Sequence, residues 1–272
     1  MTEMPYAAGL ASRPPSPPRG AGWVVFGAGG HAASVVDVLE RLGESVVAVV
    51  GDAGVRHWHV DVLGDEAEAI ERVVAERLRA VVAIGAPDPR MAVLGRLRTA
   101  AEFARTTPLR SREQFATGTP VPQSALPTEE RAVSRSALST EVVAPAVVAA
   151  SATVARDVEL GPGAVVLEHA HVGPGSRLGA GVIVNTGAIV EHDCVVGDGC
   201  HVAPGAVLLG AARVGDRSFV GSGARVLPGV EVGADVTVGA GAVVTRVVPA
   251  GGTVLGVPAR PAHRLPVEGT HP

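Results

Sequence analysis

Between residues 185 and 201 the chain gathers groups able to move a proton. His192 is followed by Asp193 and preceded by Glu191, with Asn185 and His201 at wider spacing. An imidazole changes charge near neutral pH, so it suits the removal of a proton from an attacking amine or hydroxyl. An adjacent carboxylate can orient the ring and raise its basicity, a part open to Asp193. No Ser-His or Cys-His arrangement for a covalent intermediate is evident. The ordinary alternative, a histidine on a solvated face, fits His169 and His171, which lack such company. It also fits His57 and His59 beside Trp58 in a loop, and His263 and His271 in the tail.

These residues interrupt a monotonous background. Every sixth residue from Val142 to Val244 is Val or Leu. That period belongs neither to a helix nor to a flat strand, and hexapeptide repeats point to a parallel β-helix. Three hexads make one triangular coil, and coils stack about 4.8 Å apart. The aliphatic points inward. A small residue two positions earlier, such as Ala170, Cys194, Cys200 or Ala206, leaves room near the turn. The position after the aliphatic is often Gly (Gly161, Gly173, Gly179), read as a corner needing backbone angles closed to other residues. In that column an amide occurs only at Asn185 and a charge only at Glu191, in successive hexads and so at two corners of one coil. Polar groups there gain a solenoid core nothing, since burial without partners is costly.

Upstream, residues 22–104 read as an α/β domain. Strands are expected at 23–26, 45–50 and 81–84, and helices at 32–42, 66–78 and 91–103, with 51–64 as a loop. Alternating strands and helices imply a parallel sheet with covering helices. About 85 residues fit one half of a dinucleotide-binding fold. Residues 1–21, rich in Pro, are expected to form a flexible tail, 105–140 a linker, 141–247 the solenoid, and 248–272 a cap and tail. A cap is needed because an open solenoid end exposes unpaired backbone.

Composition narrows the function classes. Hydrophobic residues make up 47% and aromatic residues 3%, which suits a solenoid filled by Val and Ala. The net charge of −4 and the lack of a basic stripe argue against a nucleic-acid partner. With no membrane-length apolar run and no signal pattern, a cytoplasmic protein is expected. Both cysteines occupy the small-residue column, so burial is expected and a disulfide or metal role is not.

The run from Asn185 to Gly205, the cap motif Gly256-Val257-Pro258-Ala259-Arg260, the segment Val24-Val25-Phe26-Gly27-Ala28-Gly29-Gly30-His31, and Val82-Ala83-Ile84-Gly85 with Arg90 together resemble one family. It is the sialic acid and nucleotide-amino-sugar acetyltransferase family, of the bacillosamine-pathway type. The resemblance spans about 23–104 and 141–262. It implies a half-Rossmann-like α/β domain followed by a left-handed parallel β-helix (hexapeptide-repeat solenoid). The handedness comes from the resemblance, since β-crossovers are generally right-handed. It also implies acetyl-CoA as cosubstrate, no metal, and a homotrimer with CoA between neighbouring prisms.

Carried over by position, the resemblance makes His192 the base and Asp193 its partner. Gly29, Gly30 and His31 would cradle the acceptor, with N–H groups at a helix start facing phosphate. Asp52, Gly85, Arg90, Asn185 and Glu191 complete the acceptor set. His201, Ser222 and Ala240 would contact the acyl-CoA. The implied reaction is acetyl transfer from acetyl-CoA to the amine of a nucleotide-linked amino sugar. Two positions depart from the pattern: Gly51-Asp52, where two acidic residues are common, and Ala144-Pro145, where His-Pro is common. N- or O-acetylation of a free sugar or specialised metabolite stays open, as does a non-catalytic sugar-nucleotide-binding scaffold. Two weaker rivals are a nicotinamide enzyme, suggested by Gly27-x-Gly29-x-x-Ala32, and a γ-type carbonic anhydrase. The half-sized domain argues against the first, and the spacing of His192 and His201 against the second.

Overall fold

The computed structural model describes residues 22–106 and 143–262. The expected tail at 1–21, nearly all of the expected linker and the last ten residues lie outside the described residues.

The first domain runs β1 (Trp23–Phe26), α1 (Gly30–Arg41), β2 (Val46–Val50), β3 (Asp61–Leu63), α2 (Glu66–Ala75), β4 (Arg79–Val82) and α3 (Pro87–Thr106). Its sheet has the order β3-β2-β1-β4, with every pairing parallel. β1 and β4 are buried throughout, as expected for parallel strands covered on both faces. Four expectations need correction. The strand expected at 81–84 lies at Arg79–Val82. The loop expected at 51–64 contains β3, a short edge strand of exposed and half-buried residues that carries no alternating signal. α2 stops at Ala75, short of 78, and α3 begins at Pro87, before 91. A proline suits that first turn because its missing N–H would have no helical partner.

The second domain is a solenoid of mostly two-residue strands in an eighteen-residue register. Ile183 pairs with His201, and Val184 with Val202. Val166, Val172, Leu178, Val184, Val190 and Val196 fill its axis. Its three faces differ. The covered face, through 147–148, 165–166, 183–184, 201–202 and 219–220, faces the first domain. The charged face, through 159–160, 177–178, 195–196, 213–214 and 231–232, displays Glu159, Arg177, Arg213 and Glu231. The apolar face, through 153–154, 171–172, 189–190, 207–208, 225–226 and 243–244, presents Ile189, Val207 and Val243 alongside Thr153, His171 and Arg225.

The glycines after the inward aliphatics serve a different purpose from the one expected. Left-handed backbone falls two residues later, for example at Gly175 with φ 71°. Gly173 is needed for close approach, since a Cβ there would lie 2.8 Å from the His192 nitrogen of the next coil.

The two domains share a core. Ala32, Val35, Val36 and Leu39 of α1 cluster with Val147, Ala149, Val165 and Leu167 of the solenoid. Leu94 of α3 rests on Gly163 and Gly181, where a Cβ would come within 2.7 Å of it. No helix among the described residues is long and apolar enough to cross a membrane.

Candidate active site

The parallel sheet places three loops at the carboxyl ends of adjacent strands: Gly27–Gly30 after β1, Gly51–Asp52 after β2, and Ile84–Gly85 after β4. Ligands of open α/β sheets bind at such ends. α1 starts there with Gly29 as N-cap and no side chain capping its N–H groups. Gly29 and Gly30 are exposed, and a Cβ at either would meet nothing within 4 Å, so there is room for an anion beside this helix start. Asp52 is exposed, and its Oδ1 accepts the Gly54 N–H at 2.8 Å.

Docking on the covered face brings His31 from α1 opposite His201, with ring centroids 6.2 Å apart. Phe219, one coil further, packs edge-on to His201 at 5.3 Å. Asn185 settles the state of His201. Its Oδ1 accepts the Thr186 N–H at 2.8 Å, so its Nδ2 faces His201 Nε2 at 3.0 Å and donates to it. The proton of His201 then lies on Nδ1. Nε2 of His201 is thus engaged within the chain, which leaves the Nδ1 N–H as the group that can donate. His31 is different: its Nε2 is buried and has no partner. Burial, aided by the Arg90 charge, lowers both imidazoles to about 4. Each is therefore a neutral hydrogen-bonding group near pH 7.

Arg90, expected among the acceptor contacts, is instead fully buried. It donates to the carbonyls of Ile84 (2.7 Å), Gly85 (2.6 Å), Gly181 (2.8 Å), Gly199 (2.5 Å) and Cys200 (3.3 Å). This is a correction. The guanidinium joins the first domain to two coils of the solenoid and has no open side for a ligand. Cys194 and Cys200 are free and buried, and burial pushes the Cys200 thiol up to about 12. Among the described residues, no group of three or more His, Cys, Asp or Glu is placed to hold a metal ion.

His192, Asp193 and Glu191 lie elsewhere. They turn the corner between the apolar and charged faces, the vertex opposite the covered face. His192 Nδ1 lies 2.8 Å from Asp193 Oδ2, and both side chains are largely exposed. With the ring N–H donated to the carboxylate, Nε2 keeps its lone pair free to accept a proton. The ring lies across Gly210 of the next coil, where a Cβ would come within 2.5 Å of Nε2. Ser222 and Ala240 are exposed on another edge, between the covered and apolar faces, in line with Asn185 and Thr186.

The structure thus assembles two groups. One holds Gly85, Asn185 and His201 around His31, close to the Gly29, Gly30 and Asp52 loops; the other is the His192–Asp193 pair with Glu191. Phe219 and Gly210 were missed from the sequence. The signal was their spacing, eighteen residues after His201 and His192.

Comparisons with known proteins match both domains. Residues 23–97 match the PglD N-terminal domain, and residues 176–210 and 211–246 match the bacterial transferase hexapeptide (six repeats). A comparison with curated proteins gave no match. Among solved structures, PerB from Caulobacter crescentus in complex with CoA and GDP-perosamine is 34% identical. That alignment covers 89% of this chain and 98% of PerB, with a TM-score of 0.66. The acetyltransferase domain of PglB from Neisseria gonorrhoeae, in complex with acetyl coenzyme A, is 30% identical. It aligns over 89% of this chain and 100% of its own, with a TM-score of 0.66. This likeness runs through both domains, and the chain belongs to the nucleotide-amino-sugar acetyltransferase family, a PglD-type N-terminal domain on a hexapeptide-repeat β-helix.

Proposed function

We propose that the protein transfers the acetyl group of acetyl-CoA to the amine of a nucleotide-linked amino sugar. The observation that carries this reading is the His192–Asp193 pair, with Nε2 open at the solenoid edge. The thioester is already activated, so the chemistry asks only for a neutral amine and a place for its proton. The amine nitrogen bonds to the thioester carbonyl carbon and His192 Nε2 takes the proton. The C–S bond then breaks and the proton passes to the departing sulfur. A base so placed contributes about 10²–10⁴-fold. The open N–H groups at the α1 start suit the diphosphate of the acceptor.

We further infer that the site is completed by a second copy, in a homotrimer. The acceptor cleft lies on the covered face, and His192 lies at the opposite vertex of the same chain. The edge carrying Asn185, Ser222 and Ala240 and the edge carrying His192 both border the apolar face. If three copies turn that face toward a common axis, the first edge of one meets the second edge of the next. Acetyl-CoA would run in that groove, past Ser222 and Ala240. The half-buried apolar Ile189, Val207 and Val243 supply part of the surface such packing would bury. Phosphorylated substrates of this kind do not cross membranes unaided, which supports a cytoplasmic site of action.

The test is thiol release from acetyl-CoA with nucleotide-linked and free amino sugars, for the wild type and His192→Ala. The proposal expects turnover with a nucleotide-linked amine and a loss of about 10²–10⁴-fold in the variant. Turnover only with a free amine or a hydroxyl would overturn the acceptor class. Full activity of the variant would overturn the base.

A further inference from the structure

We propose that Ser176 is a positioning residue for the base. This rests on the reading of His192 as that base. Ser176 lies in the coil beneath His192, in the inward small-residue column, and has no solvent exposure. Its hydroxyl donates to the Glu191 carbonyl at 2.7 Å and accepts the Cys194 N–H at 3.1 Å. These groups are the first and last of the turn Glu191-His192-Asp193-Cys194. At several other solenoid turns the same two groups bond directly to each other. Ala206 N–H reaches the Ala203 carbonyl at 3.0 Å, and Ala212 N–H the Leu209 carbonyl at 3.0 Å. The catalytic turn is held open by a hydroxyl set between its ends.

The rest of the lower turn supports the same loop. The Pro174 carbonyl accepts the Asp193 N–H at 2.9 Å. A Cβ on Gly175 would lie 2.5 Å from Asp193 Oδ1, and one on Gly173 would strike the Glu191–His192 backbone. Asp193 itself has φ 60°, a left-handed backbone that depends on its surroundings to persist. Residues 173–176 therefore form a seat whose shape sets the direction of the His192–Asp193 pair.

The molecule contains its own control. Ser218 makes the same bridge, donating to the Gly233 carbonyl at 2.8 Å and accepting the Val236 N–H at 3.0 Å. That turn carries no residue of the candidate site. In either Ser→Ala variant the turn can close on itself, as those from Ala203 to Ala206 and from Leu209 to Ala212 do, so the fold persists. Only at Ser176 does the closure move the base.

The experiment compares Ser176→Ala, Ser176→Thr, Ser218→Ala and His192→Ala for thermal midpoint, kcat and both KM values. Misplacing a catalytic group by about 1 Å can cost about a hundredfold. Ser176→Ala is expected to lose about ten- to a hundredfold in kcat with little change in KM. Ser218→Ala should match its thermal midpoint but keep wild-type kcat, and Ser176→Thr, which retains the hydroxyl, should recover most of the loss. If Ser176→Ala and Ser218→Ala have the same kcat while His192→Ala is inactive, the positioning role is overturned and the base stands. If His192→Ala stays active, the base reading falls, and the positioning role falls with it.

Discussion

His192 owes its reach to a missing side chain. Its Nε2 lies over Gly210, and a methyl group there would come within 2.5 Å of that atom. Gly210 does not have a positive φ, so alanine fits its backbone. Gly210→Ala should therefore lower kcat at least tenfold by displacing the ring, with a thermal midpoint close to wild type; an active variant would show that the ring does not work from this position. His192 and Asp193 were legible in the sequence because they break a repeat that otherwise admits few polar groups. Ser176, Gly210 and Phe219 were not, although each occupies its proper column. Their significance lies in what stands eighteen residues away, a relation that becomes physical only once coils are stacked. His201 was legible as a site residue but not in its role, since its tautomer follows from Asn185, sixteen residues away and a neighbour only once coils are stacked.

At the scale of elements, the junction of α1, the loop after β4 and the covered face carries the acceptor cleft, and two predictions belong to it. Arg90 satisfies five backbone carbonyls while fully buried. Arg90→Met removes these donors, and of the five carbonyls only that of Cys200 keeps another partner, the Ile183 N–H; unfolding stability should fall by about 3 kcal/mol or more, measured by denaturant titration. The second concerns acid. His31 and His201 are held at about 4 against 6.5 in an unfolded chain. Between those values the unfolded state binds more protons than the native one, so stability is full above about pH 6.5 and falls as pH drops toward 4. The loss approaches about 3 kcal/mol for each imidazole. His201→Asn should flatten this pH dependence of the denaturation midpoint, and an unchanged slope would contradict the assignment. The sequence announced Arg90 as conspicuous but placed it among the ligand contacts. Only the docking of α3 on Gly163, Gly181 and Gly199 shows it as a pin. β3 was hidden for a related reason: an edge strand with one neighbour needs no apolar pattern.

At the scale of the whole molecule, the three faces of the prism divide the work. One is covered by the α/β domain and one carries charges. The third is apolar, bordered by the two edges that hold the separate halves of the site. The six-residue period made the prism legible from the sequence, because every coil repeats the same inward position. Which face is left uncovered was not legible, since it depends on where the first domain lands. The central claim is that the cleft of one copy works with the His192 of another. It is tested most directly by mixing His192→Ala chains with His31→Ala chains, each inactive alone, and reassembling them together. The account predicts that activity returns, with about one site in four combining an intact cleft and an intact base in a random trimer. Mixed assemblies verified by native mass spectrometry that remain inactive would contradict it.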